Sequence, residues 1–170
     1  MARSGTVPDT KNRPASDAEV NVGLAYEHFA AESAHDAQRT LATLADDIMY
    51  RVVASGEIVH GKAAVARYYD AWWAAFPDVT IEIRRLVAAG EWVICENVAT
   101  AKHLGTWLGI PPTGTRVVQN LCAVLRFRAG LMIEETVYYD QIERIRQLGS
   151  AFTLDGRPLK IPTGPVVPTT

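Results

Sequence analysis

Three carboxylates lie close together where a strand-like segment gives way to a helix-like one. Glu134, Glu135 and Asp140 all fall within EETVYYDQIERIRQLG, residues 134–149. A carboxyl group on an apolar wall has a raised pKa because burial disfavours its charged form, and it can then act as a general acid or base near neutral pH. Asp140 and Glu143, however, have the N-cap and N3 spacing of a helix start, so we interpret Asp140 as a cap.

A histidine and several aromatic residues are the other candidates for a site. His103 ends a strand-like segment in the word KHLGTW, where it either titrates at a pocket mouth or hydrogen-bonds to the following loop. Tyrosine and tryptophan pack in cores, but they also line flat hydrophobic sites with a polar tip facing inward. The aromatic residues that we predict to contact a ligand are Tyr26, Phe29, Tyr50, Trp72 and Trp107.

The composition argues against several kinds of partner. The chain has 170 residues, enough for one domain with a real core, and a net charge of −2 with both signs scattered along it. It has no basic stripe for nucleic acid, and its apolar runs are too short to cross a bilayer. The segment MARSGTVPDTKNRPASD lacks the apolar centre of a signal peptide, so we expect a cytoplasmic protein.

The cysteines and histidines show no metal-ligand spacing. Cys95 and Cys122 lie in apolar strand-like runs, and we expect them to be reduced core residues. The four histidines are dispersed and form no zinc motif. The sequence therefore predicts no metal site.

Helical patterns dominate the first part of the chain. Ser16 and Glu19 form a capping box that starts a helix running to about Ala34, and a second short helix is predicted over residues 37–45. The segment IMYRVV then has the character of a strand. In GKAAVARYYDAWWAAFPD a third helix ends at Pro77. One face of that helix carries Val65, Tyr69, Trp72 and Phe76.

Alternating patterns after Pro77 indicate a sheet. VTIEIRRLVAA, EWVICENVATAKH, RVVQNLCAVLRF and LMIEETVYY are strand-like, with tight turns at Ala89-Gly90 and Ala129-Gly130. Helices followed by antiparallel strands predict an α+β domain, a cone-shaped barrel in which a curved sheet wraps over the N-terminal helices. Such a shape encloses a cavity suited to a small molecule.

Both ends of the chain have the composition of irregular structure. Residues 1–15 are polar with two prolines, and DGRPLKIPTGPVVPTT carries four more. We therefore predict a flexible segment over residues 1–15, one domain over residues 16–150 and an extended or disordered tail over residues 151–170.

Several short segments of the sequence resemble those of one known family. AAFPDVTIEI, KHLGTWLGIPPTGTRV, LRFRAGLMIEE and YYDQIERIRQLG occur in the order and at the spacing of SnoaL-type polyketide cyclases, which have the nuclear-transport-factor-two-like fold. The similarity covers about residues 20–149. It implies a cone-shaped α+β fold, a homodimer packed sheet to sheet, and an enzyme that closes a polyketide ring by aldol chemistry without a cofactor.

The positions where this resemblance implies catalytic residues are unusual here. Family cyclases use a carboxylate on the last strand and a histidine on the preceding strand, and the matching positions are Val137 and Ala123. Limonene epoxide hydrolase, a related fold member, uses an aspartate at what looks like Val137, and its arginine–aspartate pair would fall near Asn97 and Ala99. The base of ketosteroid isomerase would stand at or near Val52.

A neighbouring acid is our candidate for the missing base. If Val137 faces the cavity, strand alternation sends Glu135 and Tyr139 to the same side. We therefore predict that Glu135 is a general base and that Tyr139 or Tyr50 donates a hydrogen bond to the developing oxyanion. His103 is a further catalytic candidate.

The alternative is that a twist or bulge leaves Glu135 at the rim of the sheet, paired with Arg126 or Arg128. The faces taken by Glu96 and Asn97 are also open, because WVICENVATAK alternates poorly.

Two classes of function follow from these residues. The first is a cofactor-independent enzyme of secondary metabolism, of cyclase, isomerase or dehydratase type. It would act on a hydrophobic polyketide-like or polycyclic substrate in a pocket that includes Ala123 and Val137. The second is a non-catalytic protein that binds a small molecule in the same cavity. A further alternative to the cyclase-type enzyme is an epoxide-hydrolase-like enzyme with an altered site. Of these we favour the enzyme, with no nucleic-acid or membrane partner.

Overall fold

The computed structural model describes residues 16–149, 151–152 and 158–159, which form a curved sheet with helices against its inner face. The helices are α1 (Asp17–Ser33), α2 (Ala37–Ala42), α3 (Lys62–Ala75) and α4 (Gln141–Gln147). The strands of the sheet are β1 (Leu44–Val52), β2 (Glu57–His60), β3 (Thr80–Ala89), β4 (Trp92–Lys102), β5 (Arg116–Arg128) and β6 (Leu131–Tyr139). A separate pair consists of β7 (Ala151–Phe152) and β8 (Pro158–Leu159).

The sheet has the strand order β2-β1-β6-β5-β4-β3. Neighbouring strands are antiparallel except β1 and β6, which run parallel. Because β2 and β3 are free edges, the sheet curves around the helices without closing. The predicted α+β class and the sheet wrapped over helices are therefore confirmed, with the refinement that the barrel is open.

Side-chain caps start the first and last helices where the sequence marks them. Ser16 accepts a hydrogen bond from the backbone N–H of Glu19, and the Glu19 carboxylate accepts one from the Ser16 N–H at 2.7 Å. At α4, Oδ1 of Asp140 accepts from the Glu143 N–H at 3.0 Å. These bonds satisfy N–H groups that a helix start leaves without a partner. The capping box and the Asp140 cap are both confirmed.

The structure departs from the predicted elements between α2 and β2. The second helix ends at Ala42, three residues before the predicted end, and the Thr43 hydroxyl donates to the Thr40 carbonyl oxygen at 2.7 Å. The first strand then begins at Leu44, which pairs with Met132 of β6. The short strand β2 was not predicted, because its four residues are largely exposed and show no apolar alternation.

The segment predicted to be an extended or disordered tail contains one short strand pair. Ala151 pairs with Leu159 and Phe152 with Pro158. Residues 1–15 and the rest of the tail lie outside the described residues. No helix in the described ranges is both long and apolar enough to cross a membrane.

The loop that follows β4 docks onto the end of α3. The backbone N–H groups of Leu104 and Gly105 both donate to the Ala75 carbonyl oxygen, at 2.9 and 3.1 Å. A Cβ atom on Gly105 would collide with the Ala74 carbonyl oxygen and lie 2.8 Å from the Ala75 Cα. Glycine is therefore needed here for close approach of two backbones.

Candidate active site

A cavity lies between the helices and the inner face of the sheet. Its volume is about 40 Å³. Such a space holds a few water molecules, so a larger ligand has to displace side chains of the wall. A smaller cavity of about 20 Å³ shares Trp72 and Arg144 with it. The larger cavity is lined by Phe29, Glu32, Tyr50, Tyr68, Trp72, Ile81, Leu121, Glu135, Val137, Tyr139 and Arg144.

Three polar side chains surround one imidazole nitrogen of His28, and two of them, Glu32 and Glu135, line this cavity. His28 and Glu32 are one turn apart on α1, Tyr69 comes from α3 and Glu135 from β6. Nε2 of His28 lies 3.4 Å from Oε1 of Glu32 and 3.4 Å from Oε2 of Glu135. The same nitrogen is 3.2 Å from the Tyr69 hydroxyl. All four side chains are buried, so their charges depend on one another.

The second ring nitrogen of His28 fixes the orientation of the imidazole. The Thr43 hydroxyl donates its single hydrogen to the Thr40 carbonyl oxygen. Toward His28 it can therefore only accept, and it accepts from Nδ1–H at 2.7 Å. Nδ1 therefore carries a proton, and Nε2 is turned toward the two carboxyl groups. A second proton on Nε2 makes His28 a cation between two acids.

The electrostatics of the cluster favour that charged form. Burial opposes a charge on His28, but the carboxylates of Glu32 and Glu135 outweigh it and raise the pKa of His28 to about 10. Burial raises the pKa of Glu135 as well, and His28 partly counteracts this rise. Oε2 of Glu135 contacts His28 as an ion pair but makes no well-directed hydrogen bond to the described residues. Glu135 thus combines increased proton affinity with a buried carboxylate oxygen that lacks a hydrogen bond.

The same cluster has the composition of a metal site. His28, Glu32 and Glu135 each place one donor atom within 4.8 Å of the others, a spacing that a divalent cation could share. A protonated imidazole cannot be a ligand, because its lone pair is occupied. The raised pKa of His28 favours a proton on this nitrogen at neutral pH, and that proton competes with a cation for the site.

A buried cation stands in the wall that the two cavities share. The guanidinium carbon of Arg144 lies 3.9 Å from the centre of the Tyr139 ring. Its Nε donates to Oε1 of Gln119 at 3.0 Å. In the described part of the chain, no carboxylate forms an ion pair with Arg144, although its exposure is only 7%. The cavity is therefore polar in two places, at the His28 cluster and at Arg144.

The comparison with known families agrees with this architecture. The family model for SnoaL-like polyketide cyclases matches residues 21–148, which span α1 to α4. The chain belongs to the SnoaL-like polyketide cyclase family. The family resemblance inferred from the four sequence segments is thereby confirmed. No curated protein matches the sequence of this SnoaL-like chain.

Solved structures share the SnoaL-like fold. AclR from Streptomyces galilaeus, a proposed hydroxylase, is 28% identical with a TM-score of 0.69, covering 79% of this chain and 87% of that chain. A proposed SnoaL-like polyketide cyclase from Jannaschia sp. CCS1 has a TM-score of 0.74 at 18% identity, covering 81% and 96%. A proposed polyketide cyclase from Xanthomonas campestris pv. campestris has a TM-score of 0.68 at 25% identity, covering 78% and 99%.

In this SnoaL-like domain, the positions that the resemblance marks as catalytic lie side by side and are apolar. Val137 is in register with Val52 of β1 and with Ala123 of β5. Glu135 stands two residues earlier on β6, in register with Tyr50. Two residues along a strand correspond to about 6.6 Å. The buried acid is thus displaced by one pleat from the position that the family resemblance implies.

The structure brings part of the predicted site together. Arg126 pairs with Glu91 at 3.1 Å and Arg128 with Asp47 at 3.0 Å, so neither holds Glu135 at the rim. That alternative placement is wrong. The predicted residues that line the cavity are Phe29, Tyr50, Trp72, Glu135, Val137 and Tyr139.

Three predicted ligand contacts lie elsewhere. Tyr26 is 52% exposed, because the inward face of α1 passes through Ala25 and Phe29 and turns Tyr26 to solvent. Trp107 is buried against Phe76, with ring centroids 5.8 Å apart, and does not line either cavity. Ala123 is buried beside Val137 but is also absent from both walls.

His103 does not join the acid–base cluster. Its Nδ1 lies 3.2 Å from the Thr113 hydroxyl, and its ring packs against Phe76 at 5.3 Å. Burial lowers the pKa of His103, which disfavours its charged form. The side chain supports the loop between β4 and β5, in line with the structural alternative for this residue.

The sequence interpretation missed the residues that surround Glu135. His28 and Glu32 are four residues apart on the buried face of α1, and this spacing of two polar groups among apolar ones was the available signal. Tyr69 was assigned to the core face of α3, and Arg144 to the end of α4. Tyr69 meets the cluster from 41 residues along the chain from His28, and Arg144 bonds to Gln119 across 25 residues, so neither contact has a local pattern.

The structure also decides the faces of β4. Glu96 points outward and pairs with Arg85 at 3.0 Å. Asn97 is fully buried on the inner face, where neither atom of its amide has a hydrogen-bond partner among the described residues. A buried amide without partners is costly.

Proposed function

We propose that this protein is a cofactor-independent enzyme of secondary metabolism that moves a proton on a hydrophobic, polyketide-like or polycyclic substrate. The observation that carries the proposal is the buried cluster of His28, Glu32, Tyr69 and Glu135, of which Glu32 and Glu135 line an aromatic cavity. An inert core has no use for a group of this kind, because buried acids and imidazoles cost free energy. Family membership supports an enzyme acting in this cavity.

In the proposed mechanism, Glu135 removes a proton from a carbon next to a carbonyl group. Its raised pKa makes the carboxylate a stronger base than an exposed glutamate. The protonated His28 stabilises the carboxylate in its charged state and holds it in place. Tyr50 or Tyr139, which line the same cavity, donates a hydrogen bond to the enolate oxygen. Glu135 then delivers the proton to a different carbon in an isomerisation, to the alkoxide formed by ring closure in a cyclisation, or to the departing hydroxide in a dehydration.

Hydrogen–deuterium exchange tests this step without knowledge of the natural substrate. A bicyclic ketone such as 2-tetralone is incubated in D₂O, and deuterium uptake beside its carbonyl is followed by proton NMR. We expect the wild-type protein to accelerate uptake and Glu135→Gln to lower the rate by about 10²- to 10⁴-fold, because general bases contribute on that order.

Asp140→Asn is the matched control on the neighbouring carboxylate. Asparagine caps helices as well as aspartate does, so we expect the exchange rate to stay within about threefold of wild type. Equal rates for wild type and Glu135→Gln would overturn the mechanism. Binding of 2-tetralone without any acceleration by the wild-type protein would favour the non-catalytic binding protein. Mass spectrometry of small molecules that co-purify with the chain identifies the ligand class directly.

We further propose that the protein works in the cytoplasm. Cys95 and Cys122 are both free thiols, as expected in a reducing compartment.

A further inference from the structure

Arg144 is a cation that the fold holds in place without neutralising it. Its Nε is bonded to Oε1 of Gln119, and the Gln119 amide lies within hydrogen-bond distance of the Asn120 and Asp140 carbonyl oxygens, at 3.2 and 3.4 Å. The flat face of the guanidinium stacks on Tyr139. Among the described residues, the bond from Nε to Gln119 is the only hydrogen bond of this guanidinium, which leaves Nη1 and Nη2 without a protein acceptor.

Such an arrangement is unusual for an arginine with 7% exposure. Buried charges are normally paired with an opposite charge, because desolvation is expensive. The next arginine on the same helix is paired with an acid. Arg146 forms a bidentate ion pair with Glu143, with N–O distances of 2.7 and 2.8 Å. Arg144 lacks an equivalent acid and instead lines both cavities.

We propose that Arg144 binds a carboxylate on the substrate and that the substrate class is a planar, hydrophobic carboxylic acid. The terminal nitrogens of a guanidinium present two parallel N–H donors, which match the two oxygens of a carboxylate. The wall of the smaller cavity is chemically suited to the apolar part, because it is formed by Trp72, Phe76 and small aliphatic residues beside Arg144 and Gln119. Its space of about 20 Å³ has to widen before such a ligand can enter. The inference deepens the proposed function by naming its substrate class.

The placement of Arg144 also orients the substrate. Arg144 and Glu135 line the same cavity, so a ligand whose carboxylate is bound at Arg144 can reach toward Glu135 with its apolar body. Trp72 lies in both walls and has to move when a ligand joins the two spaces. A specificity contact at Arg144 and the acid–base group Glu135 are therefore separable by mutation.

Equilibrium binding of a matched pair of ligands tests the proposal. 2-Naphthoate and its neutral amide, 2-naphthamide, have nearly the same shape, and isothermal titration calorimetry measures each. We expect wild type to prefer the carboxylate, and Arg144→Gln to weaken 2-naphthoate by about 10- to 100-fold while changing 2-naphthamide by less than about threefold. Arg146→Gln, on the same helix but paired with Glu143, should keep the wild-type preference.

Two further variants keep the outcome interpretable. Arg144→Lys retains the charge, so it should preserve part of the preference for the carboxylate, and it serves if Arg144→Gln does not fold by circular dichroism. Glu135→Gln should bind 2-naphthoate with unchanged or increased affinity. That result, together with no ketone exchange by wild type, would reject the proposed catalysis and leave the carboxylate site standing. Equal affinities of wild type for the two ligands, or an unchanged preference in Arg144→Gln, would overturn the carboxylate site.

Discussion

At the scale of single residues, the cavity depends on how His28 and Glu135 share protons. Both groups have a folded-state pKa above the ordinary value, so the folded protein binds protons at this cluster more tightly than the unfolded chain does. Stability from such groups is present at low pH and is lost as pH rises. For His28 the contribution is complete below about pH 6.5 and disappears as pH passes about 10.

This sign gives a prediction for His28→Asn, which removes the cation between Glu32 and Glu135. At pH 7 we expect the free energy of unfolding to fall by about 3–5 kcal/mol, because two buried acids lose their partner. The difference from wild type should shrink between pH 8 and 10.5, as wild-type His28 itself loses its proton. Urea denaturation at several pH values measures this.

His60→Asn is the control, because His60 is exposed at the sheet edge. It should differ from wild type by less than about 0.5 kcal/mol across the same pH range. A constant difference between wild type and His28→Asn from pH 6 to 10.5 would contradict a charged His28.

At the scale of elements, the cavity depends on how α3 is held against the loop after β4. Leu104 and Gly105 bond to the end of α3, and the buried ring of Phe76 packs between His103 and Trp107. Trp72 of α3 lies in both cavity walls, so this docking contact also positions a wall of the site.

Gly105→Ala tests the docking contact. The added methyl group meets backbone atoms of Ala74 and Ala75, which cannot move away as a side chain can. We expect a loss of about 1–3 kcal/mol in the free energy of unfolding, measured by urea denaturation.

Gly23→Ala is the matched substitution at an open site, since a Cβ there meets nothing within 4 Å on α1. It should stabilise the protein by about 0.5–1 kcal/mol, because alanine favours a helix interior. Equal effects of the two substitutions would show that the close approach at Gly105 does not matter.

At the scale of the whole molecule, the outer face of the sheet is apolar enough to need a cover. Trp92, Ile94, Val118 and Tyr138 all point outward, and Ile94 is 43% exposed. A patch of this kind marks an interaction surface, and SnoaL-like proteins are expected from the family resemblance to pair through this sheet. We therefore expect a homodimer.

Ile94→Lys tests this pairing, because a buried charge at the centre of the interface is unfavourable. Sedimentation equilibrium should give a dimer for wild type and a shift to monomer for the variant. Val20→Lys places the same charge at an exposed position on α1, away from the outer face of the sheet, and should remain dimeric. A monomeric wild type at micromolar concentration would remove the dimer from consideration.

The local patterns of the sequence determined much of the fold. The capping residues Ser16 and Asp140, the helical face of α3 and the four long strands are marked by residue patterns within short stretches of the chain, so they can be predicted without the structure. Glu135 could be placed beside Val137 and Tyr139 for the same reason, since alternation along one strand is local. The segments that resemble the SnoaL-type family predicted how these elements are arranged in the fold.

Only the tertiary structure decided what Glu135 touches. His28 is 107 positions away in the chain, and Tyr69 reaches the same point from a third element. Arg144 has the spacing of an ordinary helix-end charge, and its burial on Tyr139 arises only when α4 folds back over β5 and β6. Proton affinity depends on burial and on charges a few ångströms away, and these are fixed by packing between distant segments. The sequence thus identified the acid, whereas packing determined its partners and chemistry.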